Sequence, residues 1–430
     1  MMKAKVITLG CKVNQYESEA MLSSLLQHGF AAAEDKETAD VVILNYCTVT
    51  AESDRKVRQI FRRAKKDNPD AVMVLTGCMA QAFPEDARRL EEADIILGTS
   101  NRKRLVPDLL AFLSARQRII DIAPHTNDEK FENLNVENFT GRTRAFVKIE
   151  DGCNRFCSYC IIPYARGRVR SKPLEDLKAE LAGLGANGYK EVVLTGINLS
   201  AYGQEFGLHL CDAIEAACAT PGIERVRLGS LEPEQLSEDV IRRMAKQKKL
   251  CPQFHLSLQS GCDATLKRMN RHYTADEYRT IVRNLRAAFE NAAITTDIMV
   301  GFAGETDEEF AESLAFAEEI AFAKVHVFAY SRRPGTRAYD MGDQLTNAVK
   351  EARSHEMIRV TTATQQAFFK AQIGRTEEVL FEREIQKGVW EGYSMNYTPV
   401  AVASGTSLAG EIRSVRIESC TDTHCMGAVL

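Results

Sequence analysis

Two separate series of short apolar runs, each run followed by an amphipathic stretch, constrain this chain more than any other feature. The first series has runs at residues 5–9, 41–46, 71–76 and 95–97, with amphipathic stretches such as 17–26 and 54–66 between them. Such alternation predicts βαβ units, because two parallel strands need a crossover long enough to carry a helix. The second series has six runs, at 146–150, 191–195, 225–228, 254–258, 295–300 and 325–330. Six βα units suit an open parallel barrel better than a closed barrel of about eight. A helical stretch at 347–372 ends this series. Beyond residue 375, short strands at 379–381, 388–393, 398–403 and 412–417 are separated by Gly, Ser and Asn, the pattern of a small β-barrel. Residues 121–140 are polar, rich in Asn, Asp and Glu, and read as a linker.

Composition narrows the class. Of 430 residues, 45% are hydrophobic and 27% charged, which excludes a disordered chain or a coiled-coil rod. No apolar run reaches the roughly 18 residues of a membrane helix, and residues 1–5 lead directly into a strand, so no membrane segment or signal peptide is expected and the chain reads as cytoplasmic. A net charge of −4 gives no global field for a polyanion, so any nucleic-acid contact must be local. Twelve cysteines are many for a reducing compartment, where clustered thiols point to metal or redox chemistry.

Only three of them are tightly clustered. Cys153, Cys157 and Cys160, spaced C-x3-C-x2-C, follow the first barrel strand. Three thiolates in one loop can each ligate a different iron of a 4Fe-4S cube, leaving the fourth iron open for a substrate. Structural zinc would need four ligands, and the nearest histidines in sequence are His125 and His209. Cys11, Cys47 and Cys78 are far apart in sequence, yet each follows a strand of the first series. A parallel sheet gathers such positions along the edge where open α/β sheets bind ligands, so either a second cluster or three buried thiols fits. Cys211 and Cys218 share a helical face and read as core, and the C-x4-C of Cys420 and Cys425 is too weak to name a site.

The C-x3-C-x2-C motif after the first strand of a partial barrel resembles the radical S-adenosylmethionine (SAM) superfamily. Leu9-Gly10-Cys11-Lys12-Val13-Asn14-Gln15, Asn45-Tyr46-Cys47-Thr48-Val49-Thr50 and Thr76-Gly77-Cys78-Met79-Ala80-Gln81 resemble its methylthiotransferase branch over the full length, although Tyr46 stands where Thr is expected. The resemblance implies a flavodoxin-like N-terminal domain (1–120) with an auxiliary 4Fe-4S cluster on Cys11, Cys47 and Cys78. It implies a linker (121–140), a radical SAM core (141–370) and a TRAM-type β-barrel (371–430). Cys153, Cys157 and Cys160 would hold the catalytic 4Fe-4S cluster, where reduction cleaves SAM to methionine and a 5′-deoxyadenosyl radical. Residues 11–18 and 164–171 are most similar to the branch that methylthiolates carbon 2 of N6-threonylcarbamoyladenosine beside the anticodon of tRNA. Branches acting on isopentenyladenosine or on a ribosomal-protein aspartate share the clusters but differ in these stretches. An electron donor such as flavodoxin or ferredoxin and a sulfur donor are implied partners. A non-catalytic iron–sulfur RNA-binding protein remains the alternative from another class.

Strand ends facing the cluster of Cys153, Cys157 and Cys160 are where the resemblance puts SAM, which nominates Thr195, Gly196, Asn198, Ser257, Gln259 and Asp297. For RNA, residues 54–66 carry seven cations on half a helical circumference, with Arg55, Arg58 and Arg62 nominated, while Val57, Ile60, Phe61 and Ala64 fill the other face. Arg166, Arg168 and Arg170, with Lys172, would line one side of an extended segment as a second basic surface. The final domain holds five Arg and Lys against eight Asp and Glu, so any RNA contact there would be through aromatic groups such as Trp390, Tyr393 or Tyr397.

Overall fold

The computed structural model describes the chain apart from residues 35–36, 48–50, 137–138 and 140–141 and the side chains of 51–56. Six parallel strands form the first sheet: β1 (Lys3–Leu9), β2 (Ala31–Ala32), β3 (Val41–Tyr46), β4 (Val72–Gly77), β5 (Ile95–Leu97) and β6 (Ile119–Asp121). Their order is β2-β1-β3-β4-β5-β6, the flavodoxin arrangement with one strand added. The strand order reverses between β1 and β3, so a crevice opens beyond their C-terminal ends. Every residue of β3 and β4 is buried, as in a parallel strand covered on both faces. Helix α1 (Lys12–Gln27) covers one face with Met21 and Leu25, and α2 (Ala51–Asp67) covers the other with Val57, Phe61 and Ala64. The sequence pattern shows neither β2 nor β6; both are too short to carry a periodicity.

The polar stretch 121–140 is not a free linker. Asp121 ends β6, and the following segment packs along the first two domains. The Tyr16 hydroxyl donates to the Leu134 carbonyl, and Val136 and Phe139 enter the central core. Average polarity concealed these few apolar anchors.

All six runs of the second series are strands: Arg144–Lys148, Glu191–Thr195, Arg225–Leu228, Gln253–Leu256, Ala293–Val300 and Lys324–Ala329. Neighbours in space are neighbours in sequence and every pair is parallel, with Ser230–Leu231 carrying the third strand across to the fourth. The result is an open six-unit barrel, backed by helix Asn347–Lys370 along its last strand. The final domain is a closed five-stranded barrel of Thr376–Gln386, Val389–Ser394, Pro399–Ala403, Ile412–Cys420 and Cys425–Val429.

This small barrel seats against inward-pointing arginines of the larger one. Arg227 donates to the carbonyls of Met395 (2.9 Å) and Ser394 (3.3 Å), and Arg225 to that of Tyr393 (3.1 Å). Arg144 pairs with Glu382 at 2.5 Å and lies 5.0 Å from the rings of Tyr393 and Tyr397. Those two tyrosines stack on each other at 4.6 Å, so they are engaged in the domain junction. Among the described residues no helix is long and apolar enough to cross a membrane.

Candidate active site

The first cysteine trio forms at the crevice. Cys11 caps the N-terminus of α1, Cys47 follows β3, and Cys78 opens the short helix α3 (Cys78–Ala82). Gly77 has φ +106°, and a Cβ there would stand 2.6 Å from the Tyr46 nitrogen, so only glycine lets β4 end this close to β3. Asn14, in the first turn of α1, and Asn45, near the end of β3, bind one another at 3.1 Å between side chains and 2.9 Å to the Asn14 carbonyl. The Cys11 thiol donates to Asn14 Oδ1 at 3.1 Å. A hydrogen bond from Cys47, reinforced by the Arg166 guanidinium, brings the Cys78 thiol down to about 6 against its burial. The same bond holds Cys47 well above the usual thiol range.

The second trio lies in the loop after Glu150–Asp151. Its backbone is fixed by bonds from Cys153 N to Gly167 O (3.0 Å) and from Cys160 N to Cys157 O (2.9 Å). Arg271 donates to Cys157 Sγ at 3.2 Å and the Arg155 amide points to Cys153 Sγ at 3.5 Å. Burial pushes the Cys160 thiol up to about 12 and Cys153 in the same direction. Among the described residues no three Cys, His, Asp or Glu side chains could hold a single metal ion. A cube that takes one thiolate per iron does not ask for such convergence.

The two trios are joined by one short helix, Ile162–Arg166. Ile162 and Ala165 pack on Cys47 and Cys78, Arg166 Nε donates to Cys78 Sγ at 3.2 Å, and the next residue, Gly167, binds Cys153. Arg166 also reaches Glu17 at 2.6 Å and Asp151 at 3.2 Å. Glu17 further pairs with Arg102 (2.9 Å) and Lys148 (2.8 Å), and Lys148 with Asp151 (2.5 Å). Burial alone would raise the Glu17 carboxyl; the three cations pull it down to about 2. This buried network locks the first domain onto the barrel.

It also corrects the second basic surface. Arg166 is 0% exposed, Arg170 pairs with Asp151 and Glu129, and Lys172 is buried on Glu180. Only Arg168 of that set faces solvent. Local sequence shows the charges but not carboxylates that are distant along the chain. On α2, Arg58 and Arg62 are exposed as expected, although Arg62 has Glu92 at 3.5 Å; the side chain of Arg55 lies outside the described residues.

A cavity of about 840 Å³ runs from Cys11 and Lys12 through the barrel lumen to Tyr393 and Tyr397. Thr195, Gly196 and Asp297 line it, and Asn198, Ser257 and Gln259 do not. Gly196 leaves room for a protein group: a Cβ there would be 2.6 Å from Glu150 Oε2, which accepts from the Asn198 amide at 2.7 Å. Glu150 Oε1 and Asn198 Oδ1 remain buried acceptors without a donor, so this corner fits a ligand's ammonium group. Gln259 is held by backbone bonds to Asp297 and Met299 (2.9 Å each), and the Ser257 carbonyl accepts from Tyr273 at 2.6 Å. Sequence reasoning missed Glu17, Lys148, Glu150, Asp151, Arg271 and the lumen residues His255 and His326. The alternation of charge with apolar residues in Val147-Lys148-Ile149-Glu150 was the available signal for inward-facing groups.

Residues 147–317 match the Radical SAM superfamily and 3–98 the Uncharacterized protein family UPF0004. The chain is 36% identical to the threonylcarbamoyladenosine tRNA methylthiotransferase MtaB of Bacillus subtilis, covering 95% of this chain and 92% of that one. It is 37% identical to the MtaB of Thermotoga maritima (98% and 96% covered). It is also 35% identical to the tRNA-2-methylthio-N(6)-dimethylallyladenosine synthase of Pelotomaculum thermopropionicum (99% and 97% covered). Among solved structures, the radical SAM methyltransferase TsrM of Kitasatospora setae shares the fold at TM-score 0.59 and 15% identity, covering 79% of this chain and 75% of that one. Full-length similarity at this level shows that the chain belongs to the radical SAM methylthiotransferase family.

Proposed function

We propose that this enzyme inserts a methylthio group at carbon 2 of N6-threonylcarbamoyladenosine next to the anticodon of tRNA. The observation that carries the choice of nucleoside is the character of the lumen: Lys12, Lys324, His255 and His326 line the cavity, and the two carboxylates there, Asp297 and Glu391, already face His255 and Arg383. A threonylcarbamoyl group ends in a carboxylate and suits this surface, whereas a dimethylallyl group would bury hydrocarbon against charge. Cys153, Cys157 and Cys160 hold one 4Fe-4S cluster and Cys11, Cys47 and Cys78 a second. With SAM bound, the cluster of Cys153, Cys157 and Cys160 would supply the chemistry of hydrogen abstraction, and that of Cys11, Cys47 and Cys78 would supply sulfur. Glu150 and Asn198 receive the SAM ammonium, Thr195 and Gly196 shape its seat, and Asp297 borders the nucleoside end. Arg166 orients Cys78, and Arg271 orients Cys157. Arg58, Arg62 and Arg168, with Arg55, meet the anticodon stem-loop phosphates. Electrons come from a donor such as flavodoxin or ferredoxin and sulfur from a separate donor, in the cytoplasm. The test is anaerobic turnover of two anticodon stem-loops, one carrying threonylcarbamoyladenosine and one isopentenyladenosine. Methylthiolation of the first alone supports the assignment, and preference for the second overturns it.

A further inference from the structure

Lys12 follows Cys11 directly and lines the cavity together with Thr195, Gly196, His255, Asp297 and His326. Arg144 and Arg227 repel its ammonium and Glu191 attracts it, and it acts on His326 in turn. The nearby carboxylates are already taken. Glu191 is bound by Arg227 at 2.9 Å, Glu382 by Arg144 at 2.5 Å, and Asp297 lies 3.3 Å from His255 Nε2. Among the described residues Lys12 itself has no hydrogen-bond or ion-pair partner. Lys12 is exposed to the cavity and has no carboxylate of its own, so its ammonium is available to an anion that enters.

From this arrangement we infer that Lys12 is a specificity-determining residue that reads the free carboxylate of the substrate's amino-acid side chain. The inference rests on the nucleoside assigned above. It adds that discrimination resides in one charge–charge contact within the lumen. Lys324, the other lysine lining the cavity, starts the last barrel strand, at the end away from the cysteine loop. Lys12 instead sits beside Cys11, so its position fixes the carboxylate relative to the sulfur-bearing trio. Its ammonium is a compact point charge on a flexible stem, suited to one carboxylate oxygen rather than to a bidentate fork. A neutral hydrocarbon substituent would leave the ammonium unanswered, which gives rejection as well as recognition.

The test uses reconstituted full-length enzyme and two stem-loops, one with threonylcarbamoyladenosine and one with its threonine carboxamide, which differ by a charge. Wild type should favour the acid by about 10–100-fold in kcat/KM, the effect of one hydrogen bond between charged groups. In Lys12→Gln the two should fall within about threefold of each other, while Lys12→Arg should retain the preference, with iron content reporting that each variant holds its clusters. Retention of the full preference by Lys12→Gln would overturn the inference. So would a raised KM for SAM in RNA-free cleavage with no change in stem-loop preference, since the carboxylate read would then be that of SAM. If wild type methylthiolates neither stem-loop, the nucleoside assignment fails and this inference with it. If wild type acts on both equally, the assignment stands and the role of Lys12 fails.

Discussion

Replacing Glu17 by Gln removes the central anion from a buried junction while keeping its shape. Glu17 holds Arg102, Arg166 and Lys148 at 2.6–2.9 Å and is itself fully buried. A carboxyl held at about 2 instead of its ordinary 4.5 contributes about 3 kcal/mol of stability, because one pKa step is worth about 1.4 kcal/mol. The usual cost of removing one partner of a buried ion pair, about 3–5 kcal/mol, agrees. The low end applies, because Arg102 keeps Glu132 and Lys148 keeps Asp151. Hydrogen exchange of the helix Ile162–Arg166, which bridges the two domains, is the assay. At pH 7 its amides should exchange about 100-fold faster in Glu17→Gln, the ratio that about 3 kcal/mol sets for a local opening. Since the folded-state pKa is depressed, the contribution is complete above 4.5 and is lost as pH falls toward 2. Wild type and variant should therefore converge between about pH 5 and pH 2. Exchange within threefold of wild type at pH 7, or a gap that does not narrow with acid, would refute the reasoning.

Two further perturbations address the ligands. Arg58→Glu with Arg62→Glu on α2 should weaken tRNA binding and reduce the slope of log affinity against log salt by about 0.7–0.9 for each phosphate no longer neutralised; an unchanged slope would make this helix a merely solvated face. Gly196→Ala drives a methyl group to 2.6 Å from Glu150 Oε2 and should raise the KM for SAM by about tenfold or more in RNA-free cleavage. An unchanged KM would remove Glu150 and its neighbours from the SAM seat.

How much of this was legible in the sequence depended on whether the signal was local. The C-x3-C-x2-C spacing acts within a few residues, and the structure puts it in the loop after the first barrel strand, where the sequence put it. Cys11, Cys47 and Cys78 were recoverable because a parallel sheet places every strand's C-terminal end on one edge, so position relative to the strands replaced spacing. Arg166 and Arg170 were misread for the opposite reason. Their partners, Glu17 and Glu129, come from other parts of the chain, and in sequence a buried ion pair looks like surface charge. Tyr393 and Tyr397 were offered to RNA bases, but arginines on distant barrel strands cover them. The segment 121–140 looked like a tether because Leu134, Val136 and Phe139 are diluted among polar neighbours, although those three residues meet the core. The lumen was hidden until its strands were paired, since His255, Asp297 and His326 meet only where three neighbouring strands lie side by side.

The central claim is a division of labour between two cysteine trios, and one paired measurement on purified variants tests it. SAM cleavage with dithionite is followed as 5′-deoxyadenosine, and methylthio-adenosine in tRNA is followed by nucleoside mass analysis in the same reaction. Cys47→Ala should retain SAM cleavage and form no methylthio product, while Cys157→Ala should lose both. Normal methylthiolation by Cys47→Ala would make the first trio structural and contradict the account, as would loss of SAM cleavage in Cys47→Ala while the cluster on Cys153, Cys157 and Cys160 is intact by its iron content and spectrum.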